Sequence, residues 1–473
     1  MRSWLIAGVL VVCGLQGYAG EPTLFTSTRY VMDAAFSSDG TLWVATRGGV
    51  LRRDAKGAWS KFTTANGLPS SEPAQIRITD GSVQVVFYAR ASAVWRDGEW
   101  TVGPAVPWRP SLPDRPAPPP PNIPGTHIVT RCRGGSREIA ALFGDGLYEY
   151  AGGKWVRLEI GLPDNARDIT ALASDGSALW VGTRRDGLWR YDGKVWTQFL
   201  QPDEPYSHNV QCIAPYRGSV YFSTLEDGLA VRTGGKWQHV SAPAISSDAP
   251  RQMVEFGGSL YVRQTDGKVD RLDGDKWTLD VLSKILPRKQ AYALACDGKR
   301  LYVGEWGGWS EFDGKTWTHH LKHSELQGIE VTAILPEERT VWVGTQGHGL
   351  AEVDRATEKV CLHDERNGLA DDWVRCISRA DGTLYVGTYV GGLLARRGSA
   401  WEHVPGVQGS EITDLKPDGA GGLLAATRSS AYRVASDGQV SQLDARVSEA
   451  QALCPCADGV WVGTRSGIWL LPK

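Results

Sequence analysis

Methionine is nearly missing from this chain, with three residues in 473, and phenylalanine is sparse at nine. Beside 56 glycines and 20 tryptophans, that profile belongs to many short strands joined by tight turns. A charge surplus is lacking too: 51 Lys and Arg stand against 53 Asp and Glu, a formal net charge of -2. With no overall basic field, nucleic acid and anionic lipid are excluded as general partners. Past the N-terminal segment no apolar run reaches the roughly 18 residues of a membrane span, so bilayer insertion is not expected. Gly-x-Ser-x-Gly elbows, phosphate loops and His-Glu-x-x-His zinc motifs are all absent. No cofactor is implied.

Residues 1–19 read as a secretory signal. Arg2 gives a charged start, Leu5 to Leu15 an apolar run, and Gly17-Tyr18-Ala19 a small-x-small site for cleavage near Ala19. The mature chain from residue 20 is therefore expected in the periplasm or secreted. Seven of the eight cysteines follow that leader. Cys132, Cys212, Cys296, Cys376 and the Cys454-Pro455-Cys456 pair fall in the third, fifth, seventh, ninth and eleventh of the repeats described next, and Cys361 in the eighth. In a single ring, alternate repeats are too distant for the ~4.4–6.8 Å Cα separation of a disulfide. The expectation is buried free thiols acting as small core residues.

The repeat is carried by Leu179-Trp180-Val181-Gly182-Thr183, followed by Asp186-Gly187-Leu188-Trp189. It returns as Val341-Trp342-Val343-Gly344-Thr345, Leu384-Tyr385-Val386-Gly387-Thr388 and Val460-Trp461-Val462-Gly463-Thr464. With worn copies such as Leu42-Trp43-Val44-Ala45-Thr46 and Leu301-Tyr302-Val303-Gly304, eleven copies follow one another, mostly about forty residues apart. One copy parses into four strands, 168–173, 179–183, 188–191 and 196–200, separated by polar turns that each carry Asp-Gly, a strong hairpin signal. Four antiparallel strands per repeat, with no helical period between repeats, predict an all-β fold of β-propeller blades. Alternation sends Leu179 and Val181 to one face of the strand and Trp180 and Gly182 to the other, the glycine admitting a close neighbour. A second tryptophan after the Gly-Lys turn (Trp155, Trp196, Trp237, Trp277, Trp317, Trp401) is expected to pack between outer strands.

The last repeat stops after its third strand, and Thr23-Leu24-Phe25-Thr26 supplies the missing fourth, so the termini are expected to pair and remove open edges. A Pro-rich stretch, 103–125, with Pro118-Pro119-Pro120-Pro121, separates the second repeat from the third as an exposed loop or a linker. The eleven repeats form either one large ring or two tandem propellers of five and six blades.

Some first strands are preceded by Asn66-Gly67-Leu68-Pro69-Ser70, Gly161-Leu162-Pro163-Asp164-Asn165 or Asn367-Gly368-Leu369-Ala370-Asp371. Together with the Trp-Val-Gly-Thr strand, this resembles the two-component regulator propeller repeat of bacterial periplasmic sensors. The resemblance spans nearly the whole mature chain. It implies a propeller that senses a carbohydrate or other small ligand outside the membrane; only the sensing half carries over.

In a propeller, the turns from second to third strand share one face, where ligands commonly bind. Those turns hold Arg47, Arg184, Arg185, Glu226, Asp227, Asp266, Glu305, Trp306, Gln346, His348, Tyr389, Arg428 and Arg465, with Trp309 just beyond. Exposed Trp and Tyr stack on sugar faces and Arg holds carboxylates, so an acidic oligosaccharide or a peptide is the candidate ligand. The histidine run 319–323 falls in an outer strand, where alternation sends His319 and His320 to opposite faces and argues against one metal site. The leading reading is a non-enzymatic propeller binding a small molecule, oligosaccharide, peptide or protein partner, such as a separate membrane sensor. Two others remain open: a polysaccharide lyase or hydrolase built on Glu305 with His348 or Arg185, and a protein-assembly scaffold.

Overall fold

In the computed structural model, the described residues are 20–79, 81–88, 91–107, 128–134, 137–142 and 145–473. Residues 1–19, expected from the sequence to be a secretory signal, and most of the Pro-rich stretch therefore lie outside them. The described chain is all-β, folded into eleven four-stranded antiparallel sheets. Ten sheets take four consecutive strands each, beginning at Val31, Pro73, Ile128, Ile169, Val210, Pro250, Ala293, Val331, Val374 and Ile412. The eleventh takes three from 450–472 and completes itself with Thr23–Phe25. Thr23 faces Leu470, Leu24 faces Trp469 and Phe25 faces Ile468, as expected from the truncated last repeat.

Both faces of a second strand are buried. Leu179–Thr183, for example, has no exposed residue along its length. Its Trp180 is 1% exposed, and Trp43, Tyr302, Trp342 and Trp461 are equally enclosed. Burying one such aromatic contributes roughly 2–3 kcal/mol. The outer tryptophans pack as expected: Trp196 lies 4.9 Å from Tyr191 and Trp317 4.9 Å from Phe312, each its cross-strand partner.

The repeated threonine closes the turn that follows. Its hydroxyl donates to the glycine carbonyl across the turn in Thr46–Gly49, Thr183–Gly187, Thr224–Gly228, Thr345–Gly349 and Thr464–Gly467, at 2.7–2.9 Å. The Asn-Gly-Leu loop has a local cause as well. Asn66 accepts from Thr63 N and Asn367 from Asp364 N, each capping a single 3-10 turn that ends on a left-handed glycine. Leu68 and Leu369 then drop into the core.

In five of the eleven sheets the second strand carries a glycine that fixes which sheet lies beside it. At each such position a Cβ would collide with the β-branched residue that opens the next sheet. The separations are 2.7 Å for Gly304 against Val331, 2.6 Å for Gly344 against Val374 and 2.6 Å for Gly387 against Ile412. Two of these contacts skip sequence order. Gly182 of the fourth sheet meets Val31 of the first at 2.3 Å, and Gly463 of the eleventh meets Val210 of the fifth at 2.4 Å. Side-chain brackets follow the same order: Thr413 Oγ1 donates to Ala450 O at 2.8 Å, and Thr170 Oγ1 reaches back to Val31 O at 2.6 Å.

First strands of the fifth to eleventh sheets accordingly touch in succession, and the eleventh touches the fifth. The first sheet touches the second and fourth, and the fourth touches the third. The grouping is seven and four, where the sequence reading offered one ring or five and six. The four-sheet group is inserted between the outermost strand of the eleventh sheet and the fifth sheet. The stretch 103–125 joins the second sheet to the third within the smaller group, so it does not link the two groups. The segments that cross between them are 26–30 and 200–209.

This order also corrects the expectation about cysteines. Cys212 and Cys454 lie in the first strands of neighbouring sheets, because the eleventh sheet closes on the fifth. All seven described cysteines are free; Cys132 and Cys454 are buried, but Cys361 is exposed. Burial pushes the Cys132 and Cys454 thiols up to about 12, which suits inert packing groups.

Deleting 21–25 removes the strand that completes the eleventh sheet while leaving the crossing segment intact. The expected outcome is a marked drop in the thermal unfolding midpoint, read by tryptophan fluorescence. An unchanged midpoint contradicts closure by the N-terminal strand.

Candidate functional site

The two crossings run side by side and are locked together by polar contacts. Ser27 N donates to His208 Nδ1 at 2.8 Å and Ser27 Oγ to Tyr206 O at 2.8 Å. Thr28 gives both its N–H and its hydroxyl to Glu204 Oε2, at 2.9 and 2.7 Å. Lys61 Nζ donates to Thr26 O at 2.7 Å and stands 3.8 Å from the same carboxylate. Gly48 has no room for a Cβ, which would sit 2.1 Å from Ser27 O. Burial lowers Lys61 and raises Glu204 against their mutual attraction. His208 is buried and used as an acceptor; burial, with Lys61 and Arg47 nearby, pushes it down to about 3.

Above this seam opens a cleft of about 190 Å³. Its walls come from four turns: Arg47 of the first sheet, Arg184 and Arg185 of the fourth, Leu225, Glu226 and Asp227 of the fifth, and Arg465 of the eleventh. The crossings supply Ser27, Arg29, Tyr30 and Tyr206 to Asn209, and Glu72 adds a carboxylate. Arg47, Arg184, Arg185, Glu226, Asp227 and Arg465 are six of the rim residues named from sequence. The structure brings them together because the first sheet abuts the fourth and the fifth abuts the eleventh.

Three of the five arginines lie over rings. Arg47 lies over Tyr30 at 4.1 Å and Arg184 over the same ring at 5.8 Å, while Arg29 covers Tyr206 at 4.8 Å. Tyr206 also stacks on His239 at 3.8 Å. Arg184 approaches Asp168 at 3.4 Å. Tyr30, Tyr206 and His208 escaped the sequence reading because they sit on crossings outside the repeat, where no periodicity marks them.

The other named residues lie apart from the cleft. Glu305 is fully buried; its carboxylate accepts from Ser310 Oγ and from Arg288 N, the latter at 2.9 Å. Trp309 is 2% exposed and stacks on His320 at 4.7 Å. Both are core groups rather than rim groups, and the residues lining the cleft with Arg185 do not include Glu305 or His348. Trp306 and Tyr389 are exposed, with Tyr389 stacked on Trp373 at 4.4 Å. Arg428 pairs with Glu411, which also takes Arg375 at 2.6 Å. Gln346 bridges to Trp373 through the backbone, and His348 N donates to Thr345 Oγ1 at 3.2 Å.

One group of metal-ligand type occurs among the described residues: Glu352, Cys361 and His363, whose ligand atoms lie within 4.8 Å of one another. Its geometry is that of a closed hydrogen-bond chain. The Trp401 indole N–H points at His363 Nδ1 at 3.4 Å, so Nε2 carries the proton towards Glu352 at 3.0 Å. Arg396 holds the same carboxylate oxygen at 3.0 Å. In the histidine run, His319 Nδ1 meets Ser310 Oγ at 2.7 Å whereas His320 turns to Glu311, on the other face.

No protein-family model matches the chain, and no curated protein matches it in sequence. Among solved structures, the chain is similar to PorZ, an essential surface component of the type-IX secretion system of Porphyromonas gingivalis. The TM-score is 0.54 at 12% identity, covering 94% of this chain and 68% of PorZ. A more distant likeness joins it to the extracellular domain of the putative hybrid two component system BT4673 of B. thetaiotaomicron. There the TM-score is 0.46 at 15% identity, covering 93% of this chain and 69% of that one. The GH74 enzyme of Niastella koreensis gives a TM-score of 0.48 at 12% identity, covering 92% and 72%. At such identities the likeness is one of fold. Among the described residues, no helix is long and apolar enough to cross a membrane.

The buried His208 makes the seam pH-dependent. Its folded pKa lies below the ordinary 6.5, so its contribution is complete above pH 6.5 and declines as pH falls towards 3. The decline is about 1.4 kcal/mol per pH unit within that window. His208→Asn keeps an acceptor for Ser27 N–H but does not titrate. It is expected to flatten this part of the stability profile in denaturant melts; identical slopes for both proteins contradict the assignment.

Proposed function

We propose that the seven-sheet and four-sheet groups are two β-propellers of seven and four blades, and that the protein is a non-enzymatic, ligand-binding member of the sensor-propeller kind. It works in the periplasm or after secretion, and it takes its ligand in the cleft between the propellers. The observation that carries this reading is the convergence of six rim residues, from four different turns, on one concave site beside a rigid polar seam. The repeat's resemblance to sensor propellers supports it, and the fold shared with PorZ suits a surface or extracytoplasmic setting. Scaffold rigidity with side-chain diversity at the rim is what a selective binder requires. On this reading Trp306 and Tyr389, on turns away from the cleft, belong to a second contact surface rather than to the ligand site.

A glycan and acidic-peptide array, followed by incubating each hit with the protein and looking for cleavage, tests the proposal. Binding without turnover, lost when Ser207→Trp fills the cleft, is the expected result. Turnover of a hit overturns the non-enzymatic reading in favour of a carbohydrate-active enzyme. No ligand at all favours a scaffold.

A further inference from the structure

The cleft's aromatic rings are already occupied. Tyr30 has guanidinium groups at 4.1 and 5.8 Å from its centroid, and Tyr206 has Arg29 on it and His239 against it. A pyranose ring has therefore no free tyrosine face to stack on in this cleft. What the rings do instead is hold guanidiniums in place, leaving their N–H edges as the groups available to a ligand.

The charge is also unbalanced. Five arginines line the cleft against the carboxylates of Glu72, Glu226 and Asp227. Among the described residues Arg29, Arg47, Arg185 and Arg465 are in no ion pair, and only Arg184 is, with Asp168. The Arg29 Nε is buried with no hydrogen-bond partner. Asp186, whose carboxyl is pushed up by burial, is drawn down by Arg29 and Arg185 but forms no ion pair with them. An enclosed guanidinium nitrogen without an acceptor is unfavourable unless a ligand supplies one. This part of the cleft is about 190 Å³, below the roughly 300–1,000 Å³ of drug-sized pockets, and past Arg47, Glu72, Asn209 and Arg465 it adjoins a second concavity of about 450 Å³.

We infer that the cleft recognises a compact oxyanion, a carboxylate or phosphate carried on a group of about one sugar ring, gripped by Arg29, Arg47, Arg185 and Arg465 through charge-assisted hydrogen bonds and not by stacking. The inference rests on the cleft being the ligand site. It narrows the ligand to acidic units, free or at the end of a longer chain, and excludes neutral sugars.

Isothermal titration of the whole protein with D-glucuronate, D-glucose 6-phosphate and D-glucose tests it, at low and at physiological salt. Both acids or one of them bind, and glucose does not; the stronger of the two tells carboxylate from phosphate. Arg47→Gln and Arg465→Gln, both at exposed positions, each weaken binding about tenfold or more, and added salt weakens it further. Ser207→Trp abolishes it. If neither acid binds, or glucose binds as well as they do, the oxyanion assignment is overturned. In that case a neutral glycan whose binding Ser207→Trp still removes leaves the cleft standing as the ligand site. Acid binding untouched by all three substitutions instead removes the cleft itself as the site.

Discussion

A missing side chain sets the neighbour of five of the eleven sheets in this protein. The glycine at the end of each well-kept second strand leaves a notch, and the first β-branched residue of an adjoining sheet fills it. With separations of 2.3–2.7 Å between the absent Cβ and the filling methyl, no other residue fits without moving a sheet. Overpacking of that kind costs about 1–3 kcal/mol per site. Where the notch is filled out of order, by Val31 against Gly182 and by Val210 against Gly463, the chain turns back on itself. Those two contacts divide eleven similar sheets into groups of four and seven.

The cleft follows from those two returns. The turns of the first and fourth sheets lie together at one closure, and those of the fifth and eleventh at the other. The crossings 26–30 and 200–209 bring the two pairs face to face. The seam between them is polar and buried, with Glu204 Oε2 shared by Thr28 and Lys61, its Oε1 unpartnered, and His208 capped by Ser27. Such a network specifies one arrangement of the two groups. Arginines laid on tyrosines lose little further freedom on binding, so the rim is pre-organised.

Much of the architecture was legible in the sequence. The Trp-Val-Gly-Thr period marked each sheet, the short last repeat pointed to Thr23–Phe25 as its outer strand, and alternation placed Gly182 on a crowded face. Grouping was not legible, because Val31, Val210, Val331 and Val374 are equivalent to the eye and any of them suits any notch. The rim was half legible. Position in the repeat picked out Arg47, Arg184, Arg185 and Arg465, but only the closures decide which turns meet. Glu305 misled for a definite reason: it takes the place of a threonine whose hydroxyl closes a buried turn, so the carboxylate is spent on Ser310 and Arg288. Trp309, at the start of a third strand, faces the core by the same alternation that buries Leu188 and Leu350.

A double-mutant cycle on folding stability decides the neighbour order most directly. Gly182→Val fills a notch and destabilises, and Val31→Ala, which empties the opposing space, restores much of the loss, while Val210→Ala does not. Gly463→Val shows the reverse, rescued by Val210→Ala and not by Val31→Ala. Rescue of Gly182→Val by Val210→Ala, the pairing that a single ring in chain order demands, would contradict the two closures and with them the cleft.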